Sequence, residues 1–211
     1  MDIIKKLAQE LAVKEEQAKA AVQLIDEGNT IPFIARYRKE MTGALNDETL
    51  RNLHERLLYL RNLEDKKKQV INAITEQGKL TDDLKKKILS AETLVAVDDL
   101  YRPYRPKKQT RATKAKEKGL EPLANILLLQ KTSRSMEEEA QSFVNEAKGV
   151  ANVKEAIAGA KDIIAEMIAD KADYRKSIRN CTMKQGRLVV KAKDEKAESV
   201  YEMYYDFSEP L

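Results

Sequence analysis

Residues 48 to 77 read ETLRNLHERLLYLRNLEDKKKQVINAITEQ, a run with neither proline nor glycine. Leu50, Leu53, Leu57, Leu60, Ile71 and Ile74 follow spacings of three and four, the period of an α-helix with one apolar face. Asn46 or Asp47 is placed to cap its start and Gly78 to end it. At ~1.5 Å per residue such a helix is on the order of 45 Å long. Glu64 and Lys67 interrupt the apolar seam, with Leu63 and Val70 beside it. An interrupted seam of this length suits packing against helices of the same chain. The other reading, an intermolecular coiled coil, needs a longer unbroken repeat.

On the N-terminal side the same period continues in shorter pieces. Ile3, Ile4, Leu7 and Leu11 mark one helix; Ala18, Ala21, Val22 and Ile25 mark a second, ended by Gly28-Asn29. Thr30 precedes Ile31-Pro32, and Phe33, Ile34 and Tyr37 follow, a short third helix with proline in its first turn. Residues 1–45 are therefore expected to form a helix-turn-helix-like bundle, and 46–211 a second helical domain.

On the C-terminal side, Thr81-Asp82-Asp83 starts a helix. Thr93 to Leu100 also suits a helix, although Leu94, Val95 and Val97 would fit a buried strand. Pro103 and Pro106 favour an extended segment from Arg102 to Gln109. Arg111 to Lys118 is expected to be helical, and Pro122 to sit at another helix start. Ser133 or Ser135 caps a helix reaching Phe143-Val144. From Asn152 a second long helical stretch runs, with an apolar stripe from Val153 to Ile178, as far as Gly186. Arg187 to Lys193 is the best strand candidate, and Ala197 to Tyr205 reads as a last helix. The expected fold class is all-α, with at most a minor strand near residues 187–193.

Composition agrees with that class. Charged residues make up 35% and aromatics 5%, with 7 glycines and 5 prolines, too few for the turns of an all-β chain. An apolar content of 42% excludes a disordered chain. The single cysteine, Cys181, excludes a disulfide framework and suits a reducing compartment. No apolar run is long enough for a signal peptide or a membrane span, so a cytoplasmic protein without a membrane partner is expected.

Catalytic constellations are scarce. His54 is the only histidine, so with Cys181 a conventional His/Cys zinc site is not available. No glycine-rich phosphate loop occurs. Asp98 and Asp99 splay apart on a helix, and Asp98 stands four residues from Arg102, the spacing of a structural ion pair. The chain is expected not to be an enzyme, with no catalytic residues, no metal, no cofactor and no small-molecule substrate.

Positive charge is concentrated in one place. Arg102 to Lys118 reads RPYRPKKQTRATKAKEK and nets +7, against +4 for the whole chain, which leaves the remainder at −3. Arg102, Arg105, Lys107, Lys108, Arg111 and Lys114 are candidates for phosphate contact, and Tyr104 for stacking on an unpaired base. A solvated loop with no ligand is the competing reading. Lys66-Lys67-Lys68 and Lys85-Lys86-Lys87 splay around their helices and read as solvated faces. A second cluster, Arg36, Tyr37, Arg38 and Lys39 with Glu40, reads as structural, with Arg36 or Arg38 paired to acids of the long helix; phosphate contact is the alternative.

Two stretches carry a resemblance. TIPFIARYRKEMTGAL, Thr30 to Leu45, and DDLYRPYRPKKQTRATKAKEKGLEPLA, Asp98 to Ala124, are similar to two signatures of the Tex family of bacterial transcription accessory proteins, and YEMYYDFSEPL resembles the family's approach to its next domain. Arg102 departs from the pattern, standing where an aliphatic residue is expected. The resemblance implies a truncated chain that stops short of an RNase H-like domain, helix-hairpin-helix modules and an OB-fold RNA-binding domain. It implies a non-catalytic helical module of a nucleic-acid-binding transcription factor, binding RNA or DNA weakly by itself, with the transcription machinery as a further partner. A protein-interaction or structural module that binds no nucleic acid is the alternative.

Overall fold

The computed structural model describes residues 2–106, 108–194 and 196–211, and they are predominantly helical. The chain divides into two compact units, residues 1–101 and 102–211. The boundary expected after residue 45 falls inside the first of them.

In the first unit, α1 (Ile3–Glu10), α2 (Glu15–Asp26) and α3 (Ile31–Tyr37) pack onto the N-terminal half of α4 (Asp47–Glu76). Leu7, Ala18, Ala21, Leu24 and Ile34 share one buried cluster with Leu50, Leu53, Leu57 and Leu60 of α4. Each buried leucine contributes about 2 kcal/mol relative to exposure. The long helix is therefore the wall against which the short ones bury their apolar faces. Asn46 is its cap: the side-chain oxygen accepts from the Thr49 amide at 2.7 Å. It ends at Gly78, whose φ of +66° lets the Lys79 amide turn back to the Ile74 carbonyl at 3.2 Å.

The C-terminal half of α4 packs against α5 (Asp82–Ser90) and α6 (Leu94–Tyr101). Here one expectation fails. Lys67 is not on a solvated face; it is 2% exposed and lies on the buried stripe with Leu63, Val70 and Ile74. Its ammonium donates to Glu64 Oε1 at 2.9 Å and to the Leu89 carbonyl at 2.9 Å, in the last turn of α5. Helix C-termini carry unpaired carbonyls and partial negative charge, so a buried ammonium is tolerated there. Asp98 pairs with Lys66 at 3.4 Å, and Arg102 with Asp170 at 3.0 Å, in place of the expected Asp98–Arg102 pair.

Two arginines of α4 grip the short helices. Arg56 clasps Glu10 of α1 with two hydrogen bonds, one of them 2.8 Å, and Arg61 clasps Asp26 of α2 with two of 2.7 Å. The Arg56 hydrogen bond holds the Glu10 carboxyl below its ordinary 4.5, and Arg61 does the same for Asp26 below 3.8, in each case against an opposing effect of burial. Because the folded values lie below the unfolded ones, both pairs contribute fully above about pH 4.5 and are lost as pH falls through the depressed values. The double variant Arg56→Gln/Arg61→Gln should therefore be less stable than the native chain at pH 6 by more than at pH 3. Urea titrations at both pH values test this, and an equal difference at the two would refute it.

In the second unit, α7 (Arg111–Glu117), α8 (Glu121–Leu129) and α9 (Met136–Gln141) surround α10 (Val153–Ala169). Their core is made of small residues, Ala112, Ala115, Ala124, Ala140, Ala156 and Ala160, with Leu120, Leu123 and Ile163. The helices approach closely: a Cβ added at Gly159 of α10 would stand 2.4 Å from Leu120 Cδ1. The second long stretch is two helices, not one. It breaks at Asp170-Lys171, and α11 (Ala172–Gln185) follows with no buried residue. Ile178, expected on the apolar stripe, is 64% exposed.

The strand expected near 187–193 exists as β1 (Arg187–Lys191). Its antiparallel neighbour is β2 (Asp206–Pro210), with Val189 opposite Ser208. The helix expected from Ala197 to Tyr205 is absent; Glu202–Tyr204 makes a single 3-10 turn that leads into β2. The residues that pair with β1 begin only at Asp206, just beyond the expected helix. Similarly, the segment from Arg102 is not extended throughout, since Arg102–Tyr104 forms a 3-10 turn.

Candidate nucleic-acid interface

The basic segment runs from that 3-10 turn into α7, whose Thr110 cap accepts from the Thr113 amide at 3.0 Å. Thr110 fixes the point where the loop becomes helix, and Arg111 and Lys114 then project from the first turns of α7. Arg105, Lys108, Arg111 and Lys114 are exposed; Tyr104 is half-buried. Lys107 lies outside the described residues. Arg102, which departs from the resembled pattern, is exposed.

The sequence reading missed what faces these cations. Asp162 and Glu166 on α10 and Asp170 at its C-terminal cap recur every four residues, so they stand in one row along the helix. The Arg102 guanidinium donates to Asp170 at 3.0 Å, and Arg111 approaches Asp162 at 3.4 Å. Beside the Arg102–Asp170 pair lies a surface groove of about 300 Å³, bordered also by Arg105, Lys108, Gln109, Thr110, Glu166 and Ala169. The row of acids thus neutralises part of the charge that composition alone assigns to the loop. Lys108 and Lys114 form no ion pair among the described residues. Lys118 is turned away, its ammonium bonded to the Gly149 carbonyl at 2.7 Å, and Lys116 meets Glu121 at 3.2 Å.

Elsewhere, His54 is half-buried on α4 and Cys181 is exposed on α11. Among the described residues no three His, Cys, Asp or Glu side chains converge as a metal-binding group would. No helix among them is long and apolar enough to cross a membrane.

Fold and surface together define a helical protein that presents a partly self-neutralised strip of basic side chains. The Tex-like protein N-terminal domain matches residues 1–75, and the Tex central region-like model matches residues 131–211. The chain belongs to the Tex family. It is 46% identical to Protein YhgF of Escherichia coli over 97% of its own length and 27% of that protein's. It is 42% identical to the Transcriptional accessory protein Tex of Neisseria gonorrhoeae over its full length and 28% of that protein's. A more distant relative is the human S1 RNA-binding domain-containing protein 1, 29% identical over 87% of this chain and 18% of the other. The chain spans less than a third of each of these relatives.

Proposed function

We propose that this chain is a non-catalytic helical module of a cytoplasmic, nucleic-acid-associated transcription accessory factor. Its basic segment lends an accessory surface to RNA or DNA phosphates. The observation that carries the reading is the set of exposed cations Arg105, Lys108 and Lys114, held on a capped turn and helix. Such side chains neutralise phosphates with little sequence discrimination. The names of the relatives, one a transcriptional accessory protein and another containing an S1 RNA-binding domain, support the same class.

A second reading, a scaffold for protein contacts, is favoured by a different observation. Tyr174, Ile178 and Met183 on α11, and Leu188 and Val189 on β1, are all exposed. Exposed large apolar side chains, when they gather into one patch, mark protein interfaces.

Salt separates the two. Anisotropy of labelled single-stranded RNA and duplex DNA should give a log K that falls linearly with log salt, and Arg105→Gln should remove roughly one phosphate, about 0.7–0.9, from the slope. No binding at low salt, or binding indifferent to salt, would leave the scaffold reading in its place.

A further inference from the structure

Six consecutive residues, Arg36 to Met41, are exposed at the end of α3, and among them Tyr37 is 66% and Met41 51% open to solvent. The turn is nevertheless fixed from below. Thr42, fully buried, donates its hydroxyl to the Arg38 carbonyl at 3.3 Å. Gln17 Nε2 of α2 donates to the Gly43 carbonyl at 2.9 Å. Gly43 has φ +59°, and a Cβ there would stand 2.7 Å from Gln17 Nε2, so glycine is what permits this clasp. Six open residues on a locked turn are a presented surface.

Its chemistry is aromatic and cationic together. Phe33 and Tyr37 have ring centroids 5.3 Å apart, and the Arg38 guanidinium lies 5.1 Å from the centre of Phe33. Phe33 is thereby engaged, while Tyr37 keeps most of its surface open. The expected ion pairs from Arg36 or Arg38 to the long helix are not formed among the described residues; Arg38 donates instead to the Tyr37 carbonyl at 3.2 Å. Beside Tyr37 lies a hollow of about 610 Å³, bordered by Leu24, Glu27 and residues 36–41.

We propose that this hollow takes one unpaired nucleotide of a single-stranded nucleic acid, the base stacked on Tyr37 and the flanking phosphates on Arg36 and Lys39. A bare anion fits less well. Glu27 and Glu40 border the same hollow, and α2 ends there with its negative pole. Both carboxylates suit the amino edge of a base, which is a hydrogen-bond donor. An acidic peptide offers no flat ring between its charges. The site is in the first unit and shares no residue with the basic segment of the second, so it stands independently of the function proposed above.

The test uses the whole chain, a labelled cytidine hexanucleotide RNA, inorganic polyphosphate of equal charge and a glutamate-rich peptide. All are measured in the native background and in Arg105→Gln/Lys108→Gln/Lys114→Gln. The RNA should bind more tightly than polyphosphate in both backgrounds. Tyr37→Ala should weaken it on the order of tenfold, Tyr37→Phe should restore it, and Arg36→Gln/Lys39→Gln should weaken it too. Tyr37 packs into no core, so circular dichroism should be unchanged. The proposal is overturned if Tyr37→Ala binds the RNA as the native chain does. It is equally overturned if polyphosphate matches the RNA, or if only the peptide responds to Tyr37. Loss of all RNA binding in the triple variant alone would overturn it and leave the basic segment as the sole site.

Discussion

Lys67→Ala should lower the stability of the first unit by about 3 kcal/mol, the cost of breaking a buried charge pair from one side. Three losses coincide. The Leu89 carbonyl at the end of α5 loses its donor, Glu64 loses the ammonium 2.9 Å away, and the aliphatic stem leaves a void among Leu63, Val70 and Ile74. Burial pushes the Glu64 carboxyl up, and Lys67, first among the groups that pull it down, helps to leave it below its ordinary value. Without that ammonium, folding carries more of the cost of a half-buried carboxylate. Lys67→Met separates the causes, because it fills the void and removes only the charge and the hydrogen bonds. If the polar contacts dominate, Met is nearly as destabilising as Ala; if the stem dominates, Met recovers most of the loss. Hydrogen exchange should localise the effect to α5 and α6. A loss under about 0.5 kcal/mol for both variants would mean that water replaces Lys67 freely.

Lys67 also shows where a pattern reading stops. The positions Leu60, Leu63, Lys67, Val70 and Ile74 hold an unbroken helical stripe, and the only polar member was read as an interruption. The spacing was legible in the sequence. The partner that makes burial tolerable, a carbonyl 22 residues away, was not. The long helix itself was legible to within a residue at either end, because cap, period and terminating glycine are all local. The hairpin of β1 and β2 was half legible. Leu188, Val189 and Val190 announce a strand, but the strand beside it is chosen by long-range pairing, which local propensity does not record. The break at Asp170-Lys171 has neither proline nor glycine to mark it.

The candidate interface divides along the same line. Charge counting found the cations of residues 102–118. It did not find Asp162, Glu166 and Asp170, although their four-residue spacing is as regular as that of any apolar stripe. Acids on a helix face read as solvated until the fold places a basic loop opposite them. Arg102, for which the sequence offers Asp98 as a partner, pairs with Asp170, and Arg111 pairs with Asp162, while Lys108 and Lys114 form no ion pair among the described residues.

That difference gives the second large effect. Asp162→Asn/Asp170→Asn should strengthen nucleic-acid binding by roughly 10- to 100-fold at low salt, and should steepen the dependence of log K on log salt by up to about 2. On the proposed function, a phosphate competes with Asp170 for Arg102 and with Asp162 for Arg111. Each competition costs attraction at the moment of binding. The neutral amides keep the shape of the row and release both guanidinium groups. Net charge rises by two in this variant, so Glu137→Gln/Glu146→Gln supplies the comparison: the same change in charge, on residues that form no ion pair among the described residues. If the two double variants gain equally, the gain is a long-range field and the acid row holds nothing in check. If only the α10 variant gains, the row sets how much of the +7 segment a nucleic acid can use. The variant leaves the Ala-rich core beneath α10 untouched, but the Asp170 side chain is only 15% exposed, so its change should cost some stability and thermal unfolding of both double variants accompanies the binding comparison.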